Sequence, residues 1–538
     1  MTDFSADQDR VRTLIEAGDA TLGIECGSTR IKAVLIDGDC EVLAVGGYAW
    51  ENQLVDGRWS YALEDVHTGV RAAYSSLVDD VQARYGVTPT TYASMGISAM
   101  MHGYLAFDAD GELLVPFRTW RNVSTGPAAE ALTEVLDFNI PQRWSVAHVY
   151  QAILDREDHV PAVAKVNTLA GYVHELLTGR HVLGVGDASG MFPIDTNSGD
   201  YDEARVKKFN ELVAARGVSW GLRDLFPAVL SAGDDAGTLT AEGAAFLDPT
   251  GALKPGVPLC PPEGDAGTGM VATHAVAPRT GNVSAGTSIF AMVVLETALT
   301  KCHLEIDPVT TPDGAQVAMV HSNNGASEID AWVGMFVKFA ELAGMDMSVG
   351  DVYETLYRHA LEGAADGDGL MAYNFLSGEP VLGVDEGRPL FVHAPDAEVT
   401  LANALRVQLM SIFAALRVGM DILRDEEGVE LDRLFAHGGI FKTPGVAQKV
   451  LADALRTSIA VGETAGEGGA WGIAVLARYL VDRGDGESLA QYLDTRVFAG
   501  ADVSVIDADA DDAAAFERFL ARYREGLDIV RAAAETVH

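Results

Sequence analysis

The chain has 538 residues, with 38 Lys plus Arg against 78 Asp plus Glu, giving a formal net charge of −40. At 48% hydrophobic and 22% charged residues it has a globular composition, which excludes a disordered or fibrous chain. So acidic a surface repels phosphodiester backbones and anionic headgroups and argues against general nucleic-acid or membrane binding, though a local pocket for a small polyanion stays open.

Taken in chain order, residues 1–18 read as an amphipathic helix without the apolar run of a signal peptide. Residues 21–24 and 31–36 are β-rich runs around Glu25-Cys26-Gly27-Ser28-Thr29, which predicts a hairpin, and 41–50 continues the meander. Residues 61–85 have helical spacing and stop at Gly86; 92–98 and 104–107 are strand-like, and 125–179 is largely helical. Late in the chain, the strand-like 433–436 runs into His437-Gly438-Gly439-Ile440, and Glu467-Gly468-Gly469-Ala470-Trp471-Gly472 opens a helix to about Leu480. An acidic, Ala-rich stretch at 502–514 precedes a last amphipathic helix at 515–534. Cys26, Cys40, Cys260 and Cys302 form no CxxC pair or disulfide framework, and no run long enough to span a bilayer occurs; both point to a cytoplasmic chain.

The most informative pattern is a repeat. Residues 24–35, centred on Gly27-Ser28-Thr29, and residues 283–294, centred on Gly286-Thr287-Ser288, share one layout: an apolar residue, two spacers, Gly, two hydroxyl residues, three spacers and an apolar strand. The two copies lie half a chain apart, which predicts a duplicated α/β architecture with a boundary near 272–279. Backbone N–H groups and short hydroxyls at a glycine turn form an anion-binding concavity, and a Cβ there would hold phosphate oxygens away. Glu25 stands at the mouth of the first turn as a candidate Mg²⁺ ligand, and Lys32 on the following strand places a positive charge for a terminal phosphate.

Phosphoryl transfer needs positioning, charge neutralisation and a base for the attacking hydroxyl. Asp265, in the Gly-rich run 261–269 just before the boundary, is the candidate base. Ser98-Ala99-Met100-Met101-His102-Gly103 and Thr119-Trp120-Arg121-Asn122 supply acceptor candidates, an apolar wall with hydrogen-bonding groups beside it. Competing motifs fail on context. Gly217-Val218-Ser219-Trp220-Gly221 follows a helix, where a hydrolase elbow needs a strand. Gly184-Val185-Gly186-Asp187-Ala188-Ser189-Gly190 misses the dinucleotide spacing by one residue, and no P-loop motif is present.

With these motifs in order, the chain resembles the FGGY family of carbohydrate kinases, of the actin-like, hexokinase-like ATPase fold. Residues 23–37 are similar to its first phosphate motif, which usually reads Asp-x-Gly-Thr-Thr. Residues 96–103 are similar to its Gly-Ile-Ser-Gly-Gln-Met-His-Gly, and Trp120-Arg121-Asn122 stands in place of Trp-Asn-Asp. Gly264-Asp265 resembles the base-bearing loop, 281–288 the second phosphate motif, and Gly438-Gly439 with 467–471 the adenosine-binding segments. The resemblance implies two ribonuclease H-like (actin-like ATPase) domains with a central cleft: a sugar-binding one at 1–275 and a nucleotide-binding one at 276–538. It implies ATP and Mg²⁺, with Gly27, Ser28, Thr29, Lys32, Gly286, Thr287 and Ser288 on phosphates and Gly438 and Gly439 on adenosine. Glu25 would hold the metal, Asp265 would be the base, and Met101, His102, Trp120, Arg121, Asn122 and Asp265 would hold the sugar.

Three departures bear on the acceptor: Glu25 stands where the family has Asp, Met100 where it has Gln, and Arg121-Asn122 exchange a negative group for a positive one. Xylulokinase-like members give the nearest pattern, which implies a ketopentose such as D-xylulose, with another polyol, an L-ketose or a sugar acid as alternatives. Rival readings are an actin-like nucleotide-gated binding protein and a sugar sensor without kinase activity. The expected partners are small molecules, not nucleic acid or membrane, with a homodimer left open.

Overall fold

A computed structural model describes residues 2–462 and 468–537. The chain forms two compact units, the first of Met1–Val276, Pro308–Val317 and Thr464–Gly500, the second of Ala277–Asp307, Ala318–Glu463 and Ala501–His538.

The first unit is built on strands β1 (Thr21–Cys26), β2 (Arg30–Ile36), β3 (Val42–Ala49), β4 (Ser94–Ala99) and the short β5 (Glu263–Gly264), in the order β5-β4-β1-β2-β3. β1, β2 and β3 form an antiparallel meander, while β4 runs parallel to β1 and β5 parallel to β4. β1 and β4 are buried almost throughout and are covered on both faces, as the central strands of a mixed sheet must be. One face carries the helix Leu63–Tyr85, which ends at Gly86 in the left-handed conformation (φ 68°) that the sequence assigns to it. The other face carries the helix Gly469–Asp482 at very short range. Gly23 and Gly96 face each other in the β1–β4 register beneath it. A Cβ on Gly23 would stand 2.2 Å from the Ala470 carbonyl, and one on Gly96 would stand 2.7 Å from Ile473 Cγ1.

The second sheet repeats the plan. Its strands are β6 (Thr280–Ala285), β7 (Ile289–Val294), β8 (Ile306–Thr310), β9 (Gln316–Ser322), β10 (Arg433–His437), β11 (Ser458–Gly462) and β12 (Val503–Ile506), ordered β8-β9-β7-β6-β10-β11-β12, and all but the ends of β8 and β9 that fall within Pro308–Val317 belong to the second unit. β6 and β7 form the antiparallel hairpin, β10 runs parallel to β6, and β11 parallel to β10, as β4 and β5 do beside β1. Its core gathers around the helix Leu401–Asp421; the apolar stretch Leu401–Glu426 is long enough to cross a membrane but is largely buried in the protein.

Two sequence expectations change here. The 502–514 stretch holds β12 and a helix start, because the Asp509 side chain caps Ala510–Glu525 by accepting from the Asp511 and Asp512 N–H groups. The last helix is interrupted at Gly526, where a Cβ would meet the Tyr373 hydroxyl at 2.0 Å, and Leu527–Thr536 follows as a separate helix. Glu467, at the head of the predicted 467–480 helix, lies outside the described residues.

Candidate active site

The two repeated motifs fold into three-residue turns whose carbonyls are all satisfied, by different partners in each. In the first, the Gly27 N–H donates to the Arg30 carbonyl (3.1 Å), Trp50 Nε1 to the Gly27 carbonyl (2.7 Å), the Tyr61 hydroxyl to the Ser28 carbonyl (2.5 Å), and the Trp50 N–H to the Thr29 carbonyl (3.2 Å). Trp50 and Tyr61 stack with ring centroids 4.1 Å apart, so the two donors brace each other. In the second turn the Gly286 N–H donates to the Ser288 carbonyl (3.0 Å), the Gly325 N–H to Thr287 (2.7 Å) and the Ala326 N–H to Gly286 (2.9 Å).

The consequence is electrostatic. Every carbonyl of both turns is satisfied by the protein, whereas among the described residues the amides of Ser28, Thr29, Thr287 and Ser288 donate to no protein acceptor. Thr29, Gly286 and Thr287 are exposed. A turn whose carbonyls are tied back and whose N–H groups are open presents only positive dipole ends, the arrangement that binds anions.

The second turn opens on a cavity of about 590 Å³ lined by Gly286, Thr287, Tyr353, Gly439, Lys442 and Thr443, among others. Gly438 is forced to be glycine: its φ is 122°, and a Cβ would lie 2.0 Å from the Ala285 carbonyl at the end of β6. Gly439 and the second turn thus border one space, with Gly438 held against the end of β6 beside it.

On the first unit, Glu25 pairs across the β1–β2 ladder with Lys32 and accepts the Ala470 N–H at 3.2 Å, at the start of the helix Gly469–Asp482. No cluster of three metal-ligating side chains exists among the described residues. A single carboxylate at the turn fits a Mg²⁺ ion, which usually binds through one or two carboxylates plus substrate phosphates.

Asp265 begins the helix Asp265–Ala272, and its Oδ1 accepts the Met101 N–H at 3.0 Å, joining the candidate base directly to the candidate sugar-binding turn. Its surface reaches solvent while protein crowds the carboxyl; this desolvation raises its pKa, and the Met101 hydrogen bond works against the rise. His102 is buried in a left-handed conformation (φ 70°), with Nδ1 3.2 Å from the Gly190 carbonyl. Burial holds this imidazole neutral, its pKa well below the usual value, and the charge of Arg143 adds to the effect.

Trp120 is exposed and Arg121 stacks over the Trp59 ring at 4.1 Å. Asn122 is buried, with Oδ1 accepting the Trp59 N–H (2.9 Å) and Nδ2 donating to the Trp59 (2.8 Å) and Thr119 (3.0 Å) carbonyls. Among the described residues no hydrogen bond, ion pair or ring contact links these three to Asp265.

Two acids absent from the sequence reading lie beside the base. Glu263 and Asp187 are buried, and neither makes an ion pair with a lysine or arginine among the described residues. Desolvation first, and then the neighbouring carboxylate, pushes Glu263 up to about 8; desolvation and the charge of Asp265 push Asp187 up to about 7. Since both acids hold protons more tightly in the folded protein than in the unfolded chain, their contribution favours folding most below about pH 4. It is lost as pH rises through 7 and 8. Urea unfolding of the wild-type chain is expected to show stability falling between pH 5 and pH 9 by on the order of 7 kcal/mol from these groups. The fall should be smaller in D187N; an equal fall in both proteins would refute the assignment.

Two α/β units built on one strand plan, each with an amide-open turn, define the fold of a sugar kinase. Family sequence models place that assignment in the chain itself: the FGGY family of carbohydrate kinases, N-terminal domain, matches residues 20–271, and its C-terminal domain matches residues 281–481. The chain belongs to the FGGY family of carbohydrate kinases. It is 21% identical over 483 residues to a xylulose kinase of Haemophilus influenzae, covering 87% of this chain and 92% of that protein. It is 23% identical over 262 residues to an L-fuculokinase of Salmonella typhi, covering 46% of this chain and only about half (51%) of that relative. Among solved structures, a xylulose kinase from Rhodospirillum rubrum superposes with a TM-score of 0.78 at 19% identity, covering 96% of this chain and 100% of that one.

Proposed function

We propose that this carbohydrate kinase transfers the γ-phosphoryl group of MgATP to a hydroxyl of a ketopentose, D-xylulose first. The observation that carries the reading is the pair of turns with their carbonyls tied back and their amides open, joined in the first unit to a carboxyl held against the acceptor motif. In this reading residues 1–275 bind the acceptor and residues 276–538 most of the nucleotide, whose adenosine takes the cavity lined by Gly439, with Gly438 beside it.

Asp265 accepts the proton of the attacking hydroxyl; its raised pKa brings it nearer the operating pH, where a general base is most effective. Met101 fixes the carboxyl through its backbone N–H, and His102, neutral and fixed by Gly190, offers a hydrogen-bonding edge to sugar hydroxyls. Trp120 supplies an apolar wall. Ser28, Thr29, Thr287 and Ser288 hold phosphate oxygens through their amides, Lys32 supplies positive charge, and Glu25 would hold Mg²⁺. When bound, the metal neutralises phosphate charge and orients the chain of phosphates. The xylulose kinase relative that spans most of the chain supports D-xylulose as the acceptor. Arg121, a guanidinium presented on the Trp59 ring, favours a sugar acid as the second reading.

A coupled ADP-release screen over pentuloses, hexuloses, polyols and aldonates tests this. D-xylulose is expected to raise turnover well above the blank. An aldonate doing so instead would favour the second reading, and a panel with no active member would remove kinase activity from the proposal.

A further inference from the structure

The acids behind the base are set in a closed circuit. Glu263 occupies a socket made by two glycines: a Cβ on Gly184 or Gly186 would come within 2.2 Å and 2.4 Å of its carboxyl oxygens. Its Oε1 accepts the Gly186 N–H (3.2 Å) and its Oε2 the Asp187 N–H (2.9 Å). Asp187 Oδ2 accepts the Thr168 hydroxyl (2.7 Å), while Oδ1 is buried with no partner and would lie 3.1 Å from a Cβ on Gly264, the residue before Asp265. Three residues beyond Asp187, the Gly190 carbonyl meets His102, and Met101 donates to Asp265. The Ser189 hydroxyl accepts the Thr310 N–H (3.0 Å), so the Gly184–Gly190 segment is anchored from a further side. The circuit links the base, the acid pair and the acceptor turn without a break.

We propose that Asp187 and Glu263 are positioning residues for Asp265, a buried carboxyl pair that retains a proton and locks the base-bearing turn to the Gly184–Gly190 segment and, through it, to His102. The inference rests on the reading of Asp265 as the base. Two carboxyls buried together without a cation cannot both be ionised cheaply, so the pair stays wholly or partly neutral while Asp265 is charged. The ionisable groups acting around it are Asp265 and His102 on the acceptor side, Tyr201 near Asp187, and Cys260 near Glu263; none is a cation at neutral pH, the ring of His102 being neutral. Both oxygens of Glu263 accept N–H groups, so E263Q sets an amide donor against a donor and opens the circuit, whereas D187N keeps the shape and removes only the ability to ionise.

The test uses the full chain and difference infrared spectroscopy, which separates protonated carboxyls from carboxylates. At mildly acidic pH a protonated-carboxyl band is expected that is lost in D187N or E263Q. The Asp265 titration, assigned with D265N, should move upward by about one pH unit in E263Q as the Met101 hydrogen bond is lost. The shift should be smaller in D187N. With D-xylulose as acceptor, E263Q should lower kcat by about 10²-fold while KM for MgATP stays within about twofold, the signature of a misplaced base. Failure of the wild-type chain to phosphorylate D-xylulose would count against the substrate reading alone, since the infrared readings need no acceptor. If E263Q does not fold, D187N carries the band and the titration. An Asp265 titration unmoved in the folded variants, or no carboxyl band assignable to the pair, overturns the proposal.

Discussion

Replacing Asp265 with asparagine is expected to lower kcat for phosphoryl transfer by about 10²–10⁴-fold, the contribution typical of a positioned general base. The substitution is close to isosteric, and the amide oxygen can still accept the Met101 N–H that holds Oδ1 at 3.0 Å, so the turn should keep its shape. What is lost is the ability to take a proton from the acceptor hydroxyl. Nucleotide binding depends in the proposed mechanism on the amide-open turns and the cavity of the second unit, so calorimetric affinity for MgATP should change by no more than about twofold. Turnover on the acceptor found by the screen within about tenfold of wild type would remove Asp265 as the base.

The second large effect is expected on the nucleotide side. Gly438→Ala introduces a Cβ 2.0 Å from the Ala285 carbonyl, at a backbone conformation (φ 122°) that L side chains scarcely adopt. Ala285 is the last residue of β6 and directly precedes the second turn, so the clash can be relieved only by displacing the turn or the Gly438-Gly439 segment. Backbone strain of this kind costs about 1–3 kcal/mol, and a comparable loss in nucleotide binding corresponds to a roughly tenfold to hundredfold rise in Kd. Fluorescence titration with ADP, beside a melting curve to confirm folding, would check it; an unchanged Kd would show that this segment does not shape the nucleotide site.

The duplicated architecture was legible because a three-residue glycine–hydroxyl turn needs an antiparallel strand on each side. Two such turns half a chain apart therefore announce two similar sheets; Asp265 was singled out for its place in a Gly-rich run just before the boundary between the halves, and the structure sets it at the start of the helix Asp265–Ala272. The Asp187–Glu263 pair was not legible. Seventy-six residues separate the two acids along the chain, and nothing local to either shows that the other lies beside it. The signal that was available is the glycine cluster 184–190, whose Gly184 and Gly186 make room for the Glu263 carboxyl and not for a dinucleotide. Nor could Trp50 and Tyr61 be found from spacing, since their task is to satisfy carbonyls of a turn more than twenty residues earlier. The buried bonds of Asn122 show the same limit: a polar residue next to an exposed Trp looks like a ligand contact until its partners are seen.

The helix Gly469–Asp482 lies against β1 and β4, strands whose glycines at positions 23 and 96 exist to let it in. Those strands leave the ribosome early and the helix very late. Until then the first unit lacks the helix that covers this face of its sheet. A chain halted before residue 468 would hold both glycine–hydroxyl turns yet lack the layer that seals its first sheet. The order of synthesis thus sets when the first sheet can close, because its covering helix is made after every strand it covers.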